Sequence, residues 1–349
     1  MKRNVGRFRP ILIALFGVLF IFASGCGSGG GGSTGVGYRG SLDKAVIDSS
    51  KADGIMSAFY GNYTVGEETG SELRKVSPEN YANHNSRMFI LDLYTGAMSV
   101  IHSGESVDVL AGKNILGKQL AATVSETSEL SSTCPDVTGS ADISTKTDDQ
   151  SGDISGTVTY TDYCDDVNTA GMTYSGTMTF SSSGDGSSEQ VSFSDLIITD
   201  GTTTLGLDGA IAIQNPDERT TEVDMTLTME DRENKKSYWF KNLHLSVTAL
   251  NEDWSIVDFD ISGQFYHSDY GYVDIKTPAP LRFSDAAEFP ISGAITATGA
   301  PGSGGGSTSA KLTSYYDSGT CYYRLRVDVN GDGTFDSSTG LLLWEDLIS

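Results

Sequence analysis

From about Ser140 onward the chain alternates apolar and polar residues with a period of two. Met172, Tyr174, Gly176, Met178 and Phe180 interleave with Thr173, Ser175, Thr177 and Thr179. Leu205, Leu207, Gly209, Ile211 and Ile213 follow the same rule, as do Val223, Met225, Leu227 and Met229. Val257, Phe259, Ile261, Gly263 and Phe265 make a fourth case. Successive side chains of a strand point to opposite faces, so each segment is a strand with one buried face and one wet face. Such one-sided solvation belongs to antiparallel sheets. No long helical pattern separates these strands, which makes 131–349 an all-β domain.

Two short patterns recur within it. The first is a glycine after a small or acidic residue: Ile154-Ser155-Gly156, Tyr174-Ser175-Gly176, Leu207-Asp208-Gly209, Ile261-Ser262-Gly263 and Ile291-Ser292-Gly293. Glycine inside a strand marks a bend, a bulge or a close backbone approach. The second precedes three of these: Tyr160-Thr161-Asp162-Tyr163, Phe193-Ser194-Asp195-Leu196 and Phe240-Lys241-Asn242-Leu243. Asp162 lies 14 residues before Gly176 and Asp195 lies 14 before Gly209, whereas Asn242 lies 21 before Gly263. The spacing is too irregular for a solenoid or a propeller. It predicts repeated β-hairpin units forming an antiparallel up-and-down sheet, either curved or partly closed into a barrel, with glycine at the bends.

The other end of the chain has a different character. Lys2, Arg3, Arg7 and Arg9 precede an apolar run from Ile11 to Phe22, then Ala23-Ser24-Gly25-Cys26. Charge, apolar run and small residues in that order read as a secretory signal over 1–25. The run is too short for a membrane-spanning helix, which needs about 20 residues. Residues 26–37 are almost all Gly and Ser, a flexible tether. Its G-x-S-x-G at Gly31, Ser33 and Gly35 lacks the strand-turn-helix setting of a hydrolase nucleophile. Residues 38–130 read as a mixed, partly helical segment packed on the sheet. Ser77-Pro78-Glu79 is a helix start, with an N-cap, proline at the first position and an acid in the first turn. A weaker helix covers Leu42 to Tyr60.

Charge excludes some partners. The chain carries −23, and without the four leader cations the body carries −27. Nucleic acid and passive adhesion to anionic lipid both need clustered cations in excess. No P-loop, zinc motif or C-x-x-C occurs, and His84, His102, His244 and His267 are scattered. His244 alternates with Leu243 and Leu245 and points out of the sheet. Phe265, Tyr266, Tyr270 and Tyr272 bracket a hairpin and form either a glycan-stacking platform or cross-strand packing. Cys134 and Cys164 flank a Gly- and Asp-rich hairpin and are the natural disulfide pair in an oxidising compartment. Cys321 remains, buried in a strand or pairing between molecules.

The sharpest ligand-type motif is Asp328-Val329-Asn330-Gly331-Asp332-Gly333-Thr334-Phe335-Asp336. Asp328, Asn330, Asp332 and Asp336 place oxygens at positions 1, 3, 5 and 9, with glycine at 6, which is the core of a Ca²⁺ loop. Thr339 stands where an EF-hand needs Glu, and the flanks are strand-like. Asn-Gly and Asp-Gly are equally hairpin dipeptides. A Ca²⁺ site and a metal-free turn both fit.

The Ala23-Ser24-Gly25-Cys26 run resembles a bacterial lipobox, with Ala23 in place of the more usual Leu. The resemblance implies cleavage before Cys26, diacylglycerol on its thiol and a palmitate-type acyl group on its amine. Gly27, where inner-membrane retention has Asp, implies the outer membrane of a Gram-negative cell, facing periplasm or surface. Beyond it, Tyr160 to Gly176, Tyr238 to Asn242, Asp269 to Ile275, Ser292 to Gly299 and Val327 to Trp344 resemble a group of lipoproteins of marine and sediment proteobacteria. The resemblance implies the anchor and the β-fold and assigns no catalytic residue. The expected function is a lipid-anchored cell-envelope protein with a non-enzymatic structural or binding role, its partner an envelope protein or an apolar ligand. The alternatives are a carrier of lipid in a β half-barrel and, more weakly, a carbohydrate-active enzyme.

Overall fold

A computed structural model describes residues 35–60 and 124–347, apart from 136, 149, 165–171, 200–203, 253, 285–286 and 288. Fifteen strands form one antiparallel sheet. The first seven are β1 (Val124–Ser131), β2 (Ser140–Thr147), β3 (Ile154–Cys164), β4 (Thr173–Ser182), β5 (Ser188–Thr199), β6 (Thr204–Gln214) and β7 (Thr220–Asp231). Then come β8 (Lys236–Ala249), β9 (Ile256–His267), β10 (Gly271–Ser284), β11 (Ser292–Pro301), β12 (Ser307–Asp317) and β13 (Thr320–Asp328). The short strands β14 (Ser337–Ser338) and β15 (Leu342–Leu343) both pair with β13. From β1 to β14 each strand pairs with its sequence neighbour, and the two ends of the sheet do not meet. The expected up-and-down sheet is therefore present and open. It begins at Val124, seven residues ahead of the expected boundary at 131.

The alternation decides what is inside. On β4, Tyr174, Met178 and Phe180 are buried, while Ser175, Thr177, Thr179 and Ser181 lie on the other face. A strand facing lipid needs the reverse, with apolar residues outward. No helix among the described residues is long and apolar enough to cross a membrane.

The two recurrent patterns turn out to be two sides of one device. Asp162, Asp195 and Asn242 all have left-handed backbone, with φ of 46°, 48° and 49°. Each sits where the register slips: between Tyr160 and Tyr163, between Phe193 and Leu196, and between Lys241 and His244. An extra residue there makes a β-bulge, and Asp and Asn tolerate the left-handed conformation best after glycine. Facing the bulges across each hairpin are Gly176, Gly209 and Gly263, with φ of 118°, 132° and 147°. The sequence separation of bulge and glycine is set by the length of the hairpin between them, which is why the third unit is stretched. Gly293 repeats the arrangement against Pro280. Gly156 does not: it pairs with Phe180, and a Cβ there would lie 2.5 Å from the Phe180 ring. Bulges bend the strand and increase its twist, so their recurrence curves the sheet.

Within the described residues 38–60, the helix is shorter than the expected 42–60. It spans Ser49–Tyr60 (α1), while 42–48 is non-helical, with one bridge from Lys44 to Tyr272. Asp48 caps it, its Oδ1 accepting from the backbone N–H groups of Ser50 and Lys51 at 3.0 Å each. The hydrogen bond from the Ser50 side chain, with those from Lys51, lowers the Asp48 pKa to about 2. Ala52, Ile55, Met56 and Phe59 form the buried stripe expected of an amphipathic helix. The Phe59 ring lies 5.5 Å from Phe265 and 6.5 Å from Phe240, on the apolar face of the sheet. Ser57 donates to the Leu347 carbonyl at 2.9 Å, tying α1 to the C-terminal helical turn α2 (Trp344–Leu347). Trp344 is buried there, donating to Ser314 Oγ at 3.1 Å. The helix start at Ser77-Pro78-Glu79 lies outside the described residues.

Candidate functional site

Residues 35–47 form a strap that crosses the ends of several strands. The Val36 amide donates to Asp195 Oδ1 at 2.7 Å, and the Arg39 amide to Ser237 Oγ at 2.8 Å. Ala45 N–H donates to the Tyr272 carbonyl at 2.8 Å, and Ile47 N–H to Thr308 Oγ1 at 3.0 Å. Ala300 N–H in turn donates to Ala45 O at 2.6 Å. The strap thus touches elements from β5 to β12.

At the β7–β8 and β9–β10 hairpin ends the strap meets a charged cluster that sequence reading passed over. Lys236 is buried and pairs with Asp269. Glu230 is also buried, with Arg39 at 3.1 Å and Arg232 at 3.6 Å. His267 lies under Tyr270, stacked at 4.3 Å, with the Tyr238 ring edge-on at 5.3 Å. Tyr38 Oη donates to the His267 carbonyl at 3.1 Å. In sequence, Lys236 ends an Asn-Lys-Lys turn and reads as solvated. No local signal marks it as buried, because its partner Asp269 arrives from about 30 positions away and the strap that bonds the adjacent Ser237 from about 200.

Burial pushes the His267 imidazole down to about 4, against opposing attraction from Asp269. The folded protein therefore holds it neutral, while the unfolded chain titrates near 6.5. Its contribution to stability is fully present above about pH 6.5 and is lost as the pH falls toward 4. The expected result is a melting temperature that drops across that window. His267→Gln should flatten that window, measured by thermal denaturation at pH steps. An equal drop in the variant would assign the effect elsewhere.

The Asp328–Asp336 loop closes on itself. Asp328 Oδ1 accepts from Gly331 N–H at 2.7 Å, and its Oδ2 from Gly333 N–H at 2.8 Å. Asp336 accepts from Val329 N–H at 2.8 Å and from Asn330 Nδ2 at 3.0 Å. Asn330 Oδ1 takes the Asp332 amide and Asp332 Oδ1 takes the Thr334 amide. Asp328, Asn330, Asp332 and Asp336 thus each accept an internal hydrogen bond, which builds the turn. Among the described residues no group of three or more His, Cys, Asp or Glu is arranged to hold a metal ion.

Cys134 and Cys164 form the expected disulfide, with 5.6 Å between their Cα atoms. Cys321 lies buried on β13, its thiol donating to the Phe289 carbonyl at 3.4 Å. Cys26 lies outside the described residues. His244 points outward as expected and meets Asp224 at 2.9 Å.

The aromatic group splits between the two faces. Phe265 is on the apolar face beneath Phe59. On the outer face Trp239, Tyr266 and Tyr272 are directly opposite one another, with centroids 4.7 and 4.9 Å apart. Tyr38 of the strap packs edge-on against Tyr266 at 5.5 Å, and Lys241 lies 4.9 Å over Trp239. Tyr266 is 5% exposed, so this group is cross-strand packing and offers no open stacking platform.

Compared with protein-family models, curated proteins and solved structures, the chain matches none.

Proposed function

We propose that the chain is a lipid-anchored cell-envelope protein whose single sheet has a structural or binding role without catalysis. The observation that carries this reading is the strap. The tether that follows Cys26 runs directly into residues 35–47, whose hydrogen bonds are spread over β5, β8, β10 and β12. A pull on the anchor is thereby shared by many strands. One acyl chain gives marginal membrane binding and several give a stable anchor, since each buried CH₂ contributes about 0.8 kcal/mol. The positioned acids are engaged in building turns: Asp148, Asp185, Asp217 and Asp328 each accept from backbone N–H groups of their own loops. A carrier of lipid has less support, because α1 seats Phe59 against the apolar face at β8 and β9.

The test is fractionation of cells expressing the full chain. The native protein is expected in the membrane fraction with an acylated N-terminal cysteine by mass spectrometry. Cys26→Ser is expected in the soluble fraction. Native protein in the soluble fraction, or a variant that stays with the membrane, would sink the proposal.

A further inference from the structure

The outer face of the C-terminal hairpins gathers cations that have no acidic partner. Lys276 on β10, Thr296 on β11, Lys311 on β12, Arg326 on β13 and Ser338 on β14 are successive cross-strand partners. Residues directly opposite one another share a face, so these side chains form one straight row. Arg324 lies two residues along from Arg326, opposite Thr313. Three inter-strand gaps of about 4.8 Å place Lys276 about 14 Å from Arg326.

Like charges directly opposite one another destabilise a sheet, and Lys311 faces Arg326. The chain has 46 acidic residues for 23 basic ones, and most other described cations find an acidic partner. That holds for Lys44 with Asp274, Lys236 with Asp269 and Arg282 with Asp258, whereas Lys146, Lys235 and Lys241 stand singly. Among the described residues Lys276, Lys311, Arg324 and Arg326 make no ion pair. The adjoining row on this face ends in two acids, Asp274 and Asp328. Both are already engaged, Asp274 by Lys44 and Gln264 and Asp328 by Gly331 and Gly333. Two buried polar atoms here also lack a hydrogen bond, Arg326 Nε and Thr313 Oγ1. Buried polar groups in folded proteins are nearly always satisfied, by protein, water or ligand.

Aromatic rings hold this face in place. Arg326 lies 4.6 Å over Phe335, which the 328–336 loop supplies, and Arg324 lies 5.6 Å over Tyr315. Tyr315 is itself opposite Tyr322, in the row beyond Arg324.

We propose that this face binds an acidic glycan. Lys311, Arg324 and Arg326 take its carboxylate or sulfate groups, with Lys276 at the far end of the row. Thr296 and Ser338 meet its hydroxyls, and the Tyr315–Tyr322 pair stacks on the apolar face of a sugar ring. A lone oxyanion would use one pair of cations and leave the rest of the row unmatched. A duplex nucleic acid carries a charge every about 1.7 Å of axis, and the acidic body repels so dense a polyanion more than a chain charged about once per sugar. The proposal rests on the binding role argued above and not on the lipid anchor.

The test is calorimetric titration of the full chain in detergent with an oligogalacturonate, a neutral galacto-oligosaccharide and inorganic phosphate. The acidic oligomer is expected to bind, more weakly as salt rises, and the neutral one about tenfold less tightly or worse. The double variant Lys311→Gln, Arg326→Gln should weaken acidic-oligomer binding by about tenfold or more, while Lys146→Gln on β2 leaves it unchanged. Lys311→Gln alone removes a like-charge contact and should melt no lower than the native protein, which keeps the test readable if the double variant is unstable. No binding of the oligogalacturonate, undiminished binding by the double variant, phosphate binding as tight as the oligomer, or a destabilised Lys311→Gln would each overturn the proposal. Membrane fractionation reads the anchor separately, so failure here leaves that result standing.

Discussion

Gly209→Ala is expected to destabilise the protein by about 3–5 kcal/mol, the sum of backbone strain and overpacking. Gly209 has φ of 132°, outside what an L side chain readily adopts. A Cβ built there would lie 2.2 Å from the Thr226 carbonyl oxygen and 2.8 Å from Leu227 Cα. Those are backbone atoms of β7, so relief requires the β6–β7 pair to part. Gly186 is the matched control. Its φ of 72° is also left-handed, but a Cβ there meets nothing within 4 Å. Gly186→Ala should therefore cost only about 1 kcal/mol, the left-handed penalty alone. Urea titrations of the two variants give the comparison. A loss at Gly209 no larger than at Gly186 would mean that close strand approach at the bulges does not hold the sheet together.

Removing the disulfide is the second large effect. The bond closes a loop over a sequence separation of 30, so Cys134→Ser with Cys164→Ser should cost about 3–4 kcal/mol in the chain-entropy account. The surrounding corner explains why the loss should be felt at one end. Thr133 N–H donates to the Cys164 carbonyl at 2.9 Å, and Ser132 Oγ accepts from Cys164 N–H at 3.0 Å. These bonds tie the segment after β1 to the end of β3, across the edge of the sheet. Hydrogen exchange should show β1, β2 and β3 losing protection while β8 and β9 keep theirs. Uniform loss across all strands would indicate that the bridge acts on the whole domain.

Much of this fold is legible along the chain because its information is local. The period-two runs name the strands and their buried faces before any contact is known. The recurring glycines mark where the strands bend or approach closely, but that the bulges themselves sit at Asp162, Asp195 and Asn242 emerges only from the register. The cysteine pair follows from the hairpin between them. The loop at Asp328 was legible only as two alternatives, since carboxylates at those positions suit either a cation or the loop's own amides. In the folded loop these side chains accept from the loop's own amides, a geometry common to both alternatives.

Other features have no local trace. Lys236 looks solvated until the fold buries it against Asp269. Tyr266 looks like an open platform until Tyr38 packs on it from more than 200 residues away. Lys276, Lys311 and Arg326 are ordinary outward positions on three strands, and nothing in their neighbours says that they share a row. Alternation along a strand is set by backbone geometry and adjacent side chains, so the sequence by itself determined the strands, the buried face and the bends. Register across strands depends on bulges and loop lengths accumulated over many hairpins. Cover on the outer face depends on a distant strap. Those two, and with them the charged cluster and the cation row, only the tertiary structure decided.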